Sequence, residues 1–171
     1  MATFAGAYEL DPTHTTIGFV VRHAMVTKVR GRFDDWNAAI DLDSDPAIAV
    51  TIKADSINTG NAERDAHTKN DDFFAVDRYP EITFVSTSID IDGGKLEGNL
   101  TIRDTTKPVS LDVEVSGEEV DPYGNTRVGF EAGTKINRTD FGVSFQAPLK
   151  SGGLLVSEQV TIEVEGSAIK K

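Results

Sequence analysis

Residues 27–42, TKVRGRFDDWNAAIDL, alternate like a β-strand, but the alternation changes phase partway. Val29, Gly31 and Phe33 share one parity, whereas Trp36, Ala38, Ile40 and Leu42 share the other. A strand with one buried face cannot slip by a single residue without turning its apolar set toward water. A β-bulge between the two runs resolves the conflict, and bulges are how long strands bend around a corner. Ile82 and Phe84 give way to Ile89 and Ile91 in the same manner.

Outward from this stretch, period-two patterning dominates the chain. Ile48, Val50, Ile52 and Ala54 oppose Thr51, Lys53 and Asp55; Leu96, Gly98, Leu100 and Ile102 oppose Glu97, Asn99 and Thr101. Val109, Leu111, Val113 and Val115 oppose Ser110, Asp112, Glu114 and Ser116, and Val160, Ile162 and Val164 oppose Thr161, Glu163 and Glu165. One dry and one wet face per strand is the mark of an antiparallel sheet. With segments near 14–22 and 126–137 and the two bent ones, the pattern predicts about eight strands, many longer than the usual length of about five or six residues.

Only residues 61–73 read as a helix, with Asn61 as its cap and Ala62, Ala66 and Phe73 on one face. A single helix cannot cover eight apolar strand faces, so the sheet must bury itself as a sandwich or a barrel. The bends, the long strands and the sequential hairpins DIDGGKLEG, RDTTKPV and VDPYGNTR favour an all-β, eight-stranded, antiparallel up-and-down barrel of lipocalin-like type. An eight-stranded barrel either just fills its interior or holds one small ligand. The inward parity is mostly Val, Ile, Ala and Gly, with Phe19, Phe33, Phe84 and Phe130 as its aromatics. Small residues along long strands leave axial length unfilled, which predicts a tall apolar cavity and an elongated apolar ligand.

The totals bound the rest. A chain of 171 residues with no composition break or internal repeat reads as one domain over 1–171. Its 17 basic and 28 acidic residues leave a net charge of −11, which opposes nucleic acid and anionic lipid surfaces as general partners. The absence of cysteine excludes disulfides, thiolate metal sites and a cysteine nucleophile. The start MATFAGAYELDPTH has no basic leader before a long apolar core, and no stretch approaches the roughly 18–20 apolar residues of a membrane span. These features predict a cytoplasmic protein without an integral membrane segment; a chain trimmed to a mature start would read the same and be periplasmic or secreted.

Each candidate chemical group competes with a structural role. His14, His23 and His67 invite a metal-dependent enzyme, yet the first two stand nine residues apart and on opposite parities. In Asp11-Pro12-Thr13-His14 the aspartate suits a turn that caps local N–H groups. Asp41, Asp43 and Asp45 begin like a calcium loop, but Pro46 replaces the required glycine and Ile52 the bidentate glutamate. Lys28, Arg30 and Arg32 form a basic stripe that is either solvated or a dock for an anionic head group, with Arg138 and Lys150 as weaker candidates for that task. APLKSGGLLVSEQ, 147–159, is either a connection or a flap over a cavity mouth. There is no nucleophile elbow, no phosphate-cradling glycine loop and no paired histidine–carboxylate motif.

Four blocks in order carry a family resemblance: YELDPTHTTIGFVVRHAMVTKVRGRF, DSINTGNAERDAHTKNDDFFAVDRYPEITFVS, GNLTIRDTTKPVSLDVEVSG and GFEAGTKINRTDFGV. With these the chain resembles the YceI-like family of polyisoprenoid-binding, lipocalin-like proteins along nearly its whole length. The resemblance implies a barrel with a helical excursion around an elongated apolar pore, holding an isoprenoid chain with its head group near one end. Asp11, His14, Phe19, His23, Gly31 and Phe33 match the first block; Arg64, Asp65, His67, Phe73, Tyr79, Pro80 and Phe84 the second; Asn137, Arg138, Asp140, Phe141 and Gly142 the last. Asp104 stands where the family usually has glycine, and many members carry an export signal that this start does not show.

The expected function is to bind and carry or store a long apolar lipid, a polyisoprenoid or its quinone or diphosphate derivative, without catalysis or a cofactor. The expected ligand-contacting residues are Phe19, Val21, His23, Phe33, Ile52, Phe84, Leu100, Ile102, Leu111, Val113, Phe130, Ile136 and Ile162. His23 alone among the histidines shares the inward parity. A homodimer through an exposed edge or the apolar mouth is the expected assembly. The competing expectations are the three-histidine metal enzyme and a stress-linked interaction protein whose barrel is merely filled.

Overall fold

A computed structural model of the protein describes residues 4–146, 149 and 155–171. Strands β1 (Ala7–Leu10), β2 (Thr16–His23), β3 (Thr27–Phe33), β4 (Trp36–Asp41), β5 (Ala47–Lys53) and β6 (Ile57–Asn58) precede helix α1 (Ala62–Lys69). Strands β7 (Glu81–Asp90), β8 (Lys95–Ile102), β9 (Thr105–Val120), β10 (Thr126–Asn137) and β11 (Gln159–Lys170) follow. All pairings are antiparallel, and β1 joins both β4 and β11, which closes the sheet. Closure pairs Tyr8 with Lys170 and Leu10 with Ala168, so first and last strands leave no free edge there.

The eleven segments make eight barrel strands because three of those strands are broken. β1 and β2 both lie along β11, interrupted at 11–15, where Asp11 donates its N–H to the Ser167 carbonyl. β5 and β6 are separated by a 3-10 turn at Ala54–Ser56. The phase change in residues 27–42 is the third break. β3 pairs with β2 and β6, β4 with β1 and β5, and Asp34 and Asp35 sit between them. The Asp34 N–H donates to Ser56 O and the Lys53 N–H to Asp35 O, so the break is a two-residue crossing rather than a one-residue bulge. The second expected slip is a true bulge in β7 between Ser86 and Ser88, where the Ser86 hydroxyl accepts from the Ile48 N–H. A further irregularity, between Val128 and Phe130, lets the Gly129 N–H donate to the Ser116 hydroxyl.

The helix is shorter than the pattern predicts, ending at Lys69 instead of Phe73. Asn61 caps it as expected, accepting from the Arg64 N–H. Asn70 ends it, because its side chain accepts from the Asp72 N–H and offers the backbone a non-helical partner. Phe73 and Phe74 then fold back onto the barrel, and Ala75 is buried with φ of 48°. Asp41, Asp43 and Asp45 form the turn between β4 and β5, with the Asp43 N–H on the Asp41 carboxylate.

Candidate functional site

Two apolar clusters divide the interior. Ile17, Phe33, Ile52, Ile57, Ile82, Leu100, Ile102 and Phe141 form the larger one, against which Phe73 and Phe74 pack. Tyr8, Val128 and Ala168, packed with Phe4, Leu10, Ile40 and Leu42, form the smaller one at the opposite end. Side chains of both clusters line one cavity of about 780 Å³, so the barrel is not filled by its own residues. That corrects the expectation of a filled barrel: short side chains such as Ala38, Ala132, Val109 and Val113 stand in the wall and leave the interior open.

All thirteen residues expected to meet a ligand line this cavity. Phe19, Val21 and His23 come from β2, Phe33 from β3, Ile52 from β5 and Phe84 from β7. Leu100 and Ile102 come from β8, Leu111 and Val113 from β9, Phe130 and Ile136 from β10, and Ile162 from β11. Alternation alone places them there, since every second residue of a barrel strand faces inward. Of the floor residues Phe4, Tyr8, Leu10 and Leu42, only Leu42 stood on a legible parity; Tyr8 and Leu10 lie on a short first strand that gains its depth only on closing against β11. Tyr8 is 2% exposed, and its hydroxyl has no hydrogen-bond partner among the described residues. Burial, with a smaller effect of Glu118, pushes that phenol above its ordinary pKa.

Polarity gathers at the other end, where Arg22, His23, Thr59, Asn61, Glu63, Arg64, His67 and Thr68 reach the lining. Several residues of the family-like blocks fasten this rim. Asp65 accepts from the Thr59 N–H at 2.9 Å and from its hydroxyl at 2.6 Å. Arg64 donates Nε to the Thr59 hydroxyl and Nη2 to the Thr59 carbonyl, both at 2.8 Å. His67 pairs Nε2 with Asp72 at 2.8 Å and stands edge-on to Phe73 and Phe145, with ring centroids 5.1 and 5.0 Å away. Asn137 caps the 3-10 turn at Arg138–Phe141, and Gly142 closes it with φ of 79°.

The histidines do not converge. His14 lies outside the cavity, its Nδ1 2.7 Å from the Asp11 carboxylate, and the whole of β2 separates it from His23. At about 3.3 Å per residue that is on the order of 25 Å. Among the described residues no three His, Asp or Glu side chains are grouped to hold a metal ion. Arg138 is not an anion dock either. It is 5% exposed and donates to the carbonyls of Ser157, Val143 and Val156 at 2.9, 2.7 and 3.2 Å. Burial lowers its pKa, with Glu158 opposing the shift. Lys150 and most of the 147–159 stretch, the expected flap, lie outside the described residues.

Opposite the rim, Arg127 ties three segments together. It bonds Asp11 through Nη1 at 2.8 Å and Asp121 through Nε at 2.6 Å, and also reaches the Ser167 hydroxyl. Hydrogen bonds from His14 and Arg127 hold the Asp11 carboxyl well below the usual carboxylate range; Arg127 and the Asn125 N–H do the same for Asp121.

A closed antiparallel barrel around an apolar cavity with one polar rim defines a lipocalin-like binding fold. The YceI-like domain model matches residues 8–168, and the chain belongs to that family. A UPF0312 protein of Photorhabdus laumondii is 38% identical over 173 residues, covering 96% of this chain and 88% of that one. The crystal structure of the Campylobacter jejuni YceI protein is 32% identical with a TM-score of 0.72, covering 88% of this chain and 90% of that one. A polyisoprenoid-binding domain from Saccharophagus degradans, implicated in plant cell wall breakdown, shares the fold at 17% identity. Its TM-score is 0.71, and the match covers 96% of this chain and 98% of that one.

Proposed function

We propose that this protein binds one elongated apolar lipid, a polyisoprenoid or an isoprenoid quinone or diphosphate, and carries or stores it inside the barrel. The observation that carries this reading is the polarity of the cavity: its wall is mainly apolar, broken by the Tyr8 hydroxyl at the floor and by Thr134, while charged side chains, among them Arg22, Glu63, Arg64 and His67, gather at the rim. Each buried methylene contributes about 0.8 kcal/mol, so the chain supplies affinity while the rim supplies direction. The shared fold of the polyisoprenoid-binding Saccharophagus domain supports the ligand class.

The test is mass spectrometry of an organic extract of the purified protein, beside uptake of a polyprenyl lipid by the protein in solution. Ala132 lines the cavity between Val113 and Val164, so Ala132→Trp should fill it from the wall. The expected result is an extractable long-chain lipid in the wild type and at least tenfold less in Ala132→Trp with unchanged far-UV circular dichroism. No lipid extracted and no uptake by the wild type would sink the reading.

A further inference from the structure

The β2–β3 hairpin turns at the cavity rim, its Ala24 N–H on the Leu155 carbonyl, and among the described residues its tip alone has two consecutive non-glycine residues at positive φ. Met25 is 54% exposed and Val26 75% exposed. Ala24 and Met25 both hold positive φ, 52° and 65°, although neither is the glycine or asparagine that such a turn favours. Behind the tip, Arg22 lies directly opposite Lys28 across the ladder. Like charges in that register repel, and neither has an anionic partner among the described residues. Farther down the same outer face Arg30 pairs with Glu163 and Arg32 with Asp34. Residues 12–33 contain no acid at all in a chain of net charge −11.

The other exposed apolar turn makes the contrast. Val120 and Tyr123 are 68% and 88% exposed, but Glu118, Glu119 and Asp121 surround them in sequence, at the floor end of the barrel. Among the described residues, only the rim-end tip joins exposed apolar side chains to unpaired cations, and only there do Arg22, His23 and Val29 continue into the cavity lining.

We infer that the tip of the β2–β3 hairpin docks on an anionic lipid bilayer, with Met25 and Val26 entering the interface and Arg22 and Lys28 meeting anionic head groups. Short apolar tips flanked by cations suit the head-group boundary, where buried apolar area and attraction to anionic lipid act together. The acidic remainder of the molecule opposes approach only weakly, because charges more than about 8 Å apart are largely screened at physiological salt. Docking there would set the cavity rim against the surface from which an apolar chain is drawn. That purpose rests on the lipid-carrier reading; the docking itself does not.

Co-sedimentation of the full chain tests it, with vesicles of phosphatidylcholine alone and of equimolar phosphatidylcholine and phosphatidylglycerol. Binding is expected only to the anionic vesicles and should weaken with added salt. A cation near an anionic surface is worth about fivefold in affinity. Arg22→Glu with Lys28→Glu should therefore reduce binding at least tenfold, as should Met25→Asp with Val26→Asp. Lys107→Glu, on β9 away from the hairpin, should leave it within twofold.

Equal binding to both vesicle types, no binding, or a tip variant that binds like the wild type would overturn the inference. So would light scattering that shows a dimer broken by Met25→Asp with Val26→Asp, since the tip would then cover a second copy. Lipid extraction from the same samples separates the two ideas. Vesicle binding with neither extractable lipid nor lipid uptake would defeat the carrier reading and leave docking standing, and the reverse result would do the opposite.

Discussion

Gly31 lies directly opposite Phe19 across the β2–β3 ladder, and the Phe19 ring covers it so closely that a Cβ there would stand 2.3 Å from Cζ. Gly98 sits under Phe84 in the same way, where an added Cβ would stand 2.4 Å from the ring. In both places an inward aromatic takes the room that the glycine leaves.

Gly31→Ala should therefore push the Phe19 ring toward the axis, because the free space beside it is the cavity. Overpacking in a tight core costs about 1–3 kcal/mol, and the adjoining void places this site toward the lower end. Ligand capacity should suffer more than stability. Lipid uptake by Gly31→Ala is expected to fall severalfold with a small loss in Tm, and Phe19→Leu in that background should restore it. A large loss of Tm with normal uptake would show that the ring moves into the wall instead.

The Asp11–Arg127–Asp121 bridge sets an acid limit. Both carboxyls have pKa values lowered in the folded state, so their contribution is present above the unfolded value and lost as pH falls through the folded one. Asp121→Asn should lower Tm at pH 7, and the gap from the wild type should narrow from about pH 4 downward. Thermal melts of both proteins across the acid range check this. A gap that stays constant down to about pH 3, below the ordinary carboxylate value, would mean that Asp121 acts through its turn bonds to the Tyr123 and Asn125 N–H groups alone.

Alternation made the barrel and its inward residues legible, since parity is a local property of each strand. The break at Asp34 and Asp35 was visible as a phase change, but not the two-residue crossing that satisfies it through Ser56 and Lys53. The helix ends earlier than its spacing predicts because Asn70 withdraws the backbone, although Phe73 keeps the helical spacing. Arg127 carried no signal, and the structural role of Arg138 carried none, for their partners lie at long range or on backbone carbonyls. Arg138 in particular looked like a free cation and is a buried brace.

Arg138→Met should be strongly destabilising for that reason. It removes the donors to three carbonyls that hold 138–143 against 155–157. Hydrogen bonds to a charged group are worth about 1.5–3 kcal/mol each, and these are not independent, so a total loss of about 3–4 kcal/mol is expected. Arg138→Lys, with a point charge in place of the fork, should recover less than half. Urea denaturation gives both numbers. A loss under about 1 kcal/mol for Arg138→Met would show that water replaces the guanidinium without penalty.

Arg103 sets two effects of opposite sign against each other. It occupies the first position of the two-residue turn between β8 and β9 with φ of 56°, so the left-handed residue is Arg103 and not Asp104. A non-glycine residue there costs about 1–2 kcal/mol, which Arg103→Gly would recover. Yet its Nη1 donates to the carbonyls of Gly142 and Phe73 at 3.1 and 3.2 Å, and the guanidinium lies 5.4 Å from the Tyr79 ring centroid. Charge-assisted bonds of about 1.5–3 kcal/mol in the buried case, reduced by the partial exposure of this group, still exceed the turn strain when summed with the ring contact. Arg103→Gly should thus lower stability slightly and free the 71–79 segment that follows α1. Faster hydrogen exchange at the Phe73–Tyr79 amides, with quicker release of bound lipid past the rim, is the expected outcome. A gain in stability with unchanged exchange would show that the turn strain outweighs the latch.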